Sequence, residues 1–234
     1  MKIENSVALV TGANRGIGLA FAQALLARGA RKVYATARDP SSITLPGVEV
    51  IQLDVTKPTD IRAAAQLASD VTLLVNNAGI AQPGGFLAPD SDDLTRRIFE
   101  TNVYGVLNMS KAFAPVLKAH GGGALLNVLS VASWVNDGAL AAYSASKSAA
   151  WSLTNALRHE LASQHTQVLG LHMAYVDTDL TRGIDVPKTS PEDIVQRALD
   201  GLEAGADEVL ADALTQQIHQ GLTAPRPFYL RSQN

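Results

Sequence analysis

A tyrosine and a lysine stand four residues apart in a stretch of otherwise small side chains. The stretch, residues 139–151, reads ALAAYSASKSAAW, and its two reactive groups are Tyr143 and Lys147. Alanine-rich sequence favours a helix, and positions i and i+4 lie side by side on one helical face. A nearby ammonium favours the ionised form of a phenol, whose pKa is ordinarily about 10. Such a pair can transfer a proton near neutral pH, although taken alone it can equally be a trivial contact on a helix surface.

A glycine-rich turn lies near the N-terminus, in the segment VALVTGANRGIGLAFAQALLARG at residues 7–29. Glycines allow the positive φ angles and the close backbone approach that a bound phosphate requires, and the following helix would present free N–H groups to it. The spacing of Gly12, Gly16 and Gly18 departs from the G-x-G-x-x-G fingerprint, and no Gly-Lys-Ser/Thr follows as in a P-loop. The alternative is a tight turn without a ligand. Because the glycines directly follow an apolar run that is predicted to be the first strand, we favour a site for the phosphates of a dinucleotide.

The second apolar run indicates which dinucleotide would fit. Folds that bind NAD usually place an acidic residue about 20 residues beyond the glycine turn, bonded to the ribose 2′-hydroxyl. Here Ala37 occupies that place and Arg38 follows it, while Arg15 lies within the glycine turn. Two guanidiniums suit a 2′-phosphate, so we predict NADP(H) as the cofactor; the alternative is that both are solvated surface arginines. Asp39 comes one residue late and is expected to point away.

Short aliphatic or β-branched runs alternate with longer alanine- and leucine-rich segments along the chain. This alternation predicts an α/β fold with a doubly wound parallel sheet of about seven strands, covered by helices on both faces, in one domain at 1–234. Ligands of such sheets bind in a crevice at the carboxyl ends of the strands. The predicted strands are Val7–Thr11, Lys32–Ala37, Val48–Gln52, Thr72–Val75, Ala124–Ser130, Val168–Met173 and Glu208–Leu210. The predicted helices are Gly16–Arg28, Asp60–Ser69, Asp92–Lys118, Tyr143–Ser163, Pro191–Leu202 and a last one ending near Leu222.

Composition and charge argue against several classes of function. The chain of 234 residues has 47% hydrophobic and 18% charged residues, a net charge of −3 and no cysteine. The charge gives no electrostatic reason to expect nucleic-acid binding, and without cysteine there are no disulfides or thiolate metal sites. The five histidines share no metal-ligand spacing, so no metal is expected. Because no signal-like N-terminus and no apolar run of bilayer length is present, we expect a cytoplasmic protein without membrane contact.

Four further motifs complete a pattern with the glycine turn. They are NNAG at 76–79, TNVYG at 101–105, LNVLS at 126–130 and YSASK at 143–147. In this order and register, the five motifs resemble the short-chain dehydrogenase/reductase family over roughly Lys2 to Thr178. The resemblance implies a compact, single-domain oxidoreductase with a Rossmann-type sheet.

The resemblance also implies roles for individual residues. The catalytic tetrad corresponds to Asn102, Ser130, Tyr143 and Lys147. In it, Tyr143 is the proton donor, Ser130 donates a hydrogen bond to the substrate oxygen, and Asn102 helps to hold a water that links Lys147 to solvent. The implied cofactor contacts are Gly12, Asn14, Arg15, Gly16, Ile17, Gly18, Arg38, Asp54, Val55, Asn76, Asn77, Ala78, Gly79, Tyr143, Lys147, Val176 and Thr178.

One motif departs from the family pattern. Where the family has Pro-Gly after the sixth strand, this chain has Met173 and Ala174, although Val176 and Thr178 remain. The loop at about 174–190 is expected to cup the nicotinamide and to act as the substrate loop. It is short for the family, so we hypothesise an open pocket that accepts bulky carbonyls. Candidate pocket residues are Trp134, Val135 and Tyr175, with packing beneath the loop as the alternative for the first two.

Together the motifs favour the NADPH-dependent reduction of a ketone or aldehyde to an alcohol. One alternative is an NAD(P)-dependent alcohol dehydrogenase that works in the oxidative direction, because the chemistry is reversible. Another is a non-catalytic NADP-binding signalling or sensor protein, a type that commonly loses the tyrosine or the lysine. The family implies a homodimer or homotetramer through the helices at 92–118 and 143–163, whose apolar faces can equally be buried within one chain. Sequence and fold do not identify the small-molecule substrate.

Overall fold

The computed structural model describes residues 1–230, which contain one parallel sheet of seven strands. The last four residues of the predicted domain lie outside this description. The strands are β1 (Val7–Thr11), β2 (Lys32–Ala37), β3 (Glu49–Gln52), β4 (Leu73–Asn76), β5 (Gly123–Val128), β6 (Thr166–His172) and β7 (Glu208–Leu210). Their order is β3-β2-β1-β4-β5-β6-β7, and every neighbouring pair is parallel. The predicted doubly wound, Rossmann-type sheet is confirmed.

Helices cover both faces of this sheet. They are α1 (Gly16–Ala27), α2 (Pro58–Leu67), α3 (Ser91–Phe99), α4 (Val106–Ala119), α5 (Ala141–Leu161), α6 (Pro191–Ala204) and α7 (Ala213–Gln220). Alternate residues of β1 enter two separate cores, because successive strand side chains point to opposite faces. Ala8 and Val10 join α1 and α6 in one core, and Val7 and Leu9 join α2, α4 and α5 in the other. Within residues 1–230, no helix is both long and apolar enough to cross a bilayer.

The order of the strands creates a crevice beside β1. The chain runs outward from β1 through β2 to β3, then returns to β4 on the other side of β1. Loops that leave β1 and β4 therefore diverge to opposite faces of the sheet, which opens a ligand-sized gap at their carboxyl ends. The Thr11 hydroxyl ties the two strands together there: it donates to the Val75 carbonyl at 3.2 Å and accepts from the Asn77 N–H at 2.9 Å.

One predicted helix and one predicted strand differ from the structure. The single helix expected at 92–118 is divided, because a π-helical turn at Glu100–Gly105 separates α3 from α4. Such turns insert an extra residue and redirect the side chains within them, and they are frequent at functional sites. The strand expected to end at Ser130 ends at Val128, so Ser130 belongs to the following loop.

Candidate active site

A cavity of about 690 Å³ opens at the carboxyl ends of the strands around β1 and β4. Its lining brings together most of the residues predicted for cofactor binding and catalysis. Those on its wall are Gly12, Asn14, Arg15, Gly16, Ile17, Gly18, Arg38, Asp54, Val55, Asn77, Ala78, Gly79, Ser130, Tyr143, Lys147, Val176 and Thr178. Asn76, Asn102, Trp134, Val135 and Tyr175 were also predicted for the site, but they are not part of this wall.

The glycine turn forms one end of the cavity and is shaped for close approach of a ligand. Gly12 and Gly16 have φ angles of +66° and +54°, in the left-handed region that glycine tolerates best. A Cβ on Gly18 would lie 2.1 Å from the carbonyl oxygen of Gly12, so no side chain fits there. The Asn77 amide fixes the turn by donating to the carbonyls of Thr11 and Gly12. With α1 starting at Gly16, this backbone cradle fits the pyrophosphate of a dinucleotide.

The carboxyl end of β2 forms a second part of the wall. Arg38 is exposed there and lies close enough to Asp54 to help lower the pKa of that carboxyl, which burial alone would raise. Hydrogen bonds from Thr56 act on Asp54 in the same direction. Asp39 lines the cavity too, contrary to expectation, but its carboxylate accepts from the N–H and hydroxyl of Ser41 at 3.0 and 2.7 Å. Of these two neighbours, Asp39 is held by Ser41, and Arg38 places an exposed guanidinium on the cavity wall.

An ion pair joins the glycine turn to the loop at 174–190. Nη1 of Arg15 is 2.7 Å from Oδ2 of Asp179, and Asp179 also pairs with Arg182. The hydrogen bond from Arg15 is the main reason that the pKa of Asp179 lies below its usual value. The spacing of the two residues along the chain gave no sign of this contact. Arg15, predicted to bind a 2′-phosphate, has a carboxylate partner in this structure.

The catalytic candidates meet at the inner end of the cavity. Nζ of Lys147 donates to the Val128 carbonyl at 2.8 Å and lies 5.7 Å from the centre of the Tyr143 ring. Burial lowers the pKa of Lys147 to about 8. Burial raises the pKa of the Tyr143 phenol, and the Ser130 hydroxyl lowers it only in part. The sequence predicted a lowered phenol pKa, which is wrong for this structure because desolvation outweighs the neighbouring groups.

Asn102 holds the site from outside the cavity wall. Its side chain is buried and bonds both to the N–H and to the carbonyl of Ile80, each at 2.9 Å, and donates to the Ser146 hydroxyl at 3.0 Å. It thus joins the loop after β4 to α5, one residue before Lys147. The π-helical turn places Asn102 in this position. Asn76 is also buried within the protein, where its amide donates to Asn127 at 2.9 Å.

The three proposed substrate-pocket residues are not among those that line this cavity. Trp134 stacks on His172, with ring centroids 4.1 Å apart, and contacts Trp151 edge-on at 6.2 Å. Trp134 therefore packs in an aromatic cluster beside the loop, and its place in a substrate pocket stays a prediction. Val135 and Tyr175 are also absent from the cavity wall.

The loop with Met173 and Ala174 is stabilised in a way that the sequence analysis missed. The N–H of Ala174 donates to the buried carboxylate of Asp212 at 2.8 Å, and the same carboxylate caps α7 through Thr215. Backbone hydrogen bonds join the two ends of the loop: the N–H of Asp177 donates to the Thr189 carbonyl, and the N–H of Thr189 donates to the Tyr175 carbonyl. The Asp-x-x-Thr cap was visible in the sequence, but its reach to Ala174 was not. Wall residues that were not predicted individually as contacts are Ile80 and, in or beside the predicted substrate loop, Met173, Ala174, Leu180 and Thr181.

The buried Lys147 predicts a pH-dependent stability. Its pKa falls from 10.5 to about 8 on folding, so between these values the unfolded chain holds the extra proton and stability rises with pH. Relative to Lys147→Met, the wild type should gain about 2 kcal/mol of unfolding free energy between pH 8 and pH 10. Urea unfolding of both proteins at several pH values measures this difference. A constant difference would contradict the burial of an ionisable ammonium.

Comparison with known proteins gives a family match and similar relatives. A family model described as short chain dehydrogenase matches residues 6–188. The 3-oxoacyl-acyl-carrier-protein reductase of Salmonella typhimurium is 32% identical over 219 residues, which cover 89% of this chain and 88% of that protein. Galactitol 2-dehydrogenase (L-tagatose-forming) of Cereibacter sphaeroides is 36% identical over 192 residues, 77% of this chain and 75% of that one.

Two solved structures share the architecture over nearly the whole chain. A short chain dehydrogenase from Burkholderia cenocepacia in complex with NADP is 42% identical, with a TM-score of 0.92, covering 97% of this chain and 96% of that chain. A 3-ketoacyl-(acyl-carrier-protein) reductase from Brucella melitensis complexed with NADH is 29% identical, with a TM-score of 0.79, covering 89% of this chain and 98% of that one.

Proposed function

The chain belongs to the short-chain dehydrogenase family, and from that membership and the geometry of its cavity we propose that it reduces a ketone or aldehyde to an alcohol with NADPH. The observation that carries the proposal is the continuity of one cavity. A glycine cradle and Arg38 stand on its wall together with Ser130, Tyr143 and Lys147. A dinucleotide held along this wall would bring its nicotinamide to the hydroxyl groups.

The proposed cofactor contacts follow from the wall of the cavity. The backbone of the glycine turn would hold the pyrophosphate, and Arg38 would pair with a 2′-phosphate. By the family pattern, Asp54 lies at the adenine, Lys147 at the nicotinamide ribose and Thr178 at the carboxamide. The NADP complex of the Burkholderia cenocepacia relative supports the choice of NADP(H). When bound, NADPH supplies the hydride for the carbonyl carbon.

The protein's part in the reaction is to orient the carbonyl and to supply a proton. The Ser130 hydroxyl donates to the carbonyl oxygen, where negative charge develops during reduction. Tyr143 then gives its phenolic proton to that oxygen. Because its pKa is raised, the Tyr143 phenol holds its proton at neutral pH, which is the form that a proton donor in carbonyl reduction requires. Through its bond to the Val128 carbonyl, Lys147 ties the strand end before Ser130 to the helix that carries Tyr143.

A test of the proposed function is NADPH oxidation with a panel of ketones, aldehydes, quinones and 3-oxoacyl thioesters, with NADH run in parallel. We expect turnover with NADPH at neutral pH, and bulky carbonyls should react if the pocket is open. NADPH binding without turnover of any carbonyl would favour the sensor alternative. If, at neutral pH and with equal concentrations of oxidised and reduced cofactor, the protein converts only alcohols to carbonyls, the dehydrogenase alternative would be favoured.

Arg38→Asp is expected to weaken NADPH binding by about 10–100-fold, because a charge-assisted hydrogen bond to the 2′-phosphate is replaced by repulsion. NADH lacks this phosphate, so its affinity should fall little or rise. Isothermal titration with both cofactors measures the change. Arg31→Asp is the matched control, since Arg31 is also exposed but lies outside the cavity wall. Unchanged NADPH affinity in Arg38→Asp would remove the basis for the cofactor assignment.

The single-domain extent over 1–234 and the homodimer or homotetramer stay predictions. The helices implied in assembly correspond here to α3, α4 and α5. Sedimentation velocity of the full chain would determine the number of subunits.

A further inference from the structure

A buried histidine lies directly behind Ser130. His172 is the last residue of β6 and its side chain is fully buried. Its Nδ1 is 3.3 Å from the carbonyl oxygen of Ser130, and because a carbonyl only accepts, Nδ1 is the donor. The same ring stacks on Trp134, four residues further along the loop, with the planes 19° apart. His172 therefore supports the loop that carries Ser130 at two points.

The other nitrogen of this ring faces a carboxylate. Nε2 of His172 lies 3.5 Å from Oε1 of Glu208, the first residue of β7, and within residues 1–230 it has no hydrogen-bond partner at shorter range. A carboxylate also only accepts, so the ring satisfies both neighbours when each nitrogen carries a proton. The interaction with His172 is the main reason that the pKa of Glu208 falls to about 2. Glu208 is therefore the carboxylate that faces the second ring nitrogen of His172.

Glu208 in turn contacts the helix that carries Tyr143. Nε1 of Trp151 donates to Oε1 of Glu208 at 2.9 Å. Trp151 follows Tyr143 and Lys147 at successive spacings of four residues, so the three side chains share one face of α5. A chain of contacts therefore runs from the Ser130 carbonyl through His172 and Glu208 to α5. It joins the two elements from which the proposed catalytic hydroxyls extend.

We propose that His172, paired with Glu208, is a positioning residue that sets the distance of the Ser130 hydroxyl from Tyr143. The inference rests on the proposed function, in which both hydroxyls act on one substrate oxygen. Without His172, the Ser130 carbonyl keeps its bond from the Ser133 N–H at 3.0 Å but loses its support from β6. A shift of about 1 Å at a reacting group can cost about 100-fold in rate, so a small displacement is enough.

A double-mutant cycle tests whether His172 acts through Ser130. We expect His172→Leu to lower kcat about 10-fold with little change in the NADPH Kd, and Ser130→Ala to lower kcat about 100-fold. In the Ser130→Ala background, His172→Leu should change kcat by less than about 2-fold, because the hydroxyl that it positions is gone. A further 10-fold loss in the double variant would show a general structural role and would overturn the proposal.

Two further variants separate positioning from packing. His172→Asn keeps a donor near the place of Nδ1 and should recover most of the kcat lost in His172→Leu. His219→Asn is the matched control, because His219 contacts the same Trp134 ring at 5.0 Å from its centroid. We expect wild-type kcat from this variant. An equal loss in His219→Asn and His172→Leu would assign the effect to the aromatic cluster and overturn the proposal.

A spectroscopic measurement covers the case in which His172→Leu fails to fold. In wild-type protein labelled with ¹⁵N-histidine, the shifts of His172 should show that Nδ1 carries a proton, as the contact with the Ser130 carbonyl requires. Glu208→Gln, which retains an acceptor for Trp151 but removes the negative charge that faces Nε2 of His172, should lower kcat. An unprotonated Nδ1 of His172 in the wild type would overturn the inference. Because this measurement needs no turnover, it is distinguishable from a failure of the proposed function, which would appear as an absence of carbonyl reduction.

Discussion

Tyr143→Phe is expected to lower turnover by about 10²–10⁴-fold while leaving NADPH affinity unchanged. The substitution removes one hydroxyl from a partly buried ring and retains the ring's packing. Lys147 cannot replace the lost donor, because its ammonium is bound to the Val128 carbonyl and lies 5.7 Å from the centre of the Tyr143 ring. Ser130 still polarises the carbonyl, but an aliphatic hydroxyl is a weaker acid than a phenol and therefore a poorer proton donor. The measurement is single-turnover NADPH oxidation, with cofactor affinity from fluorescence titration.

A matched control for this experiment is Tyr229→Phe. Tyr229 is about half exposed and lies outside the cavity wall, so loss of its hydroxyl should leave both turnover and affinity at wild-type values. Residual turnover in Tyr143→Phe above a tenth of the wild-type rate would contradict Tyr143 as the proton donor. A parallel loss of NADPH affinity would instead indicate that the phenol positions the cofactor.

Gly18→Ala is expected to reduce stability and cofactor affinity together. The new Cβ would stand 2.1 Å from the Gly12 carbonyl oxygen and 2.5 Å from Nδ2 of Asn77. Gly12 belongs to the glycine turn, and the Asn77 amide holds that turn by hydrogen bonds. The turn must therefore move away from α1 to make room. Overpacking of this kind costs about 1–3 kcal/mol of unfolding free energy. Because the displaced backbone is the proposed phosphate cradle, NADPH affinity should fall by more than about 10-fold.

Urea unfolding and isothermal titration measure these two effects of Gly18→Ala. Gly85→Ala is the control, because a Cβ there would meet its nearest neighbour at 3.8 Å and the φ angle is not in the left-handed region. That variant should match the wild type in both measurements. Wild-type NADPH affinity in a folded Gly18→Ala protein would contradict the glycine turn as the phosphate site.

The sequence was sufficient to predict the sheet and most of the cavity wall. Strand and helix bounds follow from hydrophobic periodicity, and the structure places them within two residues of the predictions, apart from the divided helix. Parallel strands bring their carboxyl ends to one edge, so motifs that follow β1, β4 and β5 were expected to meet. Positions where the backbone takes a positive φ angle or packs too closely for a side chain, such as Gly12 and Gly18, require glycine. They were therefore predictable from residue type.

Side-chain contacts between distant segments were not predictable. Trp134 was a candidate for the substrate pocket, but the direction of its side chain depends on His172, which is 38 residues away in the chain. The pairing of Arg15 with Asp179 and the bond from Ala174 to Asp212 also join segments that no local pattern relates. The raised pKa of Tyr143 belongs to the same class, because desolvation depends on the whole environment of a group.

By itself, the sequence determined the types of the reactive groups and the strands and turns that carry them. Backbone preferences and hydrophobic periodicity act over a few residues, so they can be interpreted from the chain alone. Only the tertiary structure decided which of these groups are buried and which are already paired. It also placed a histidine of β6 against the serine loop, with a glutamate of β7 facing that histidine. Such contacts depend on how the elements pack against one another, and packing is a property of the whole fold.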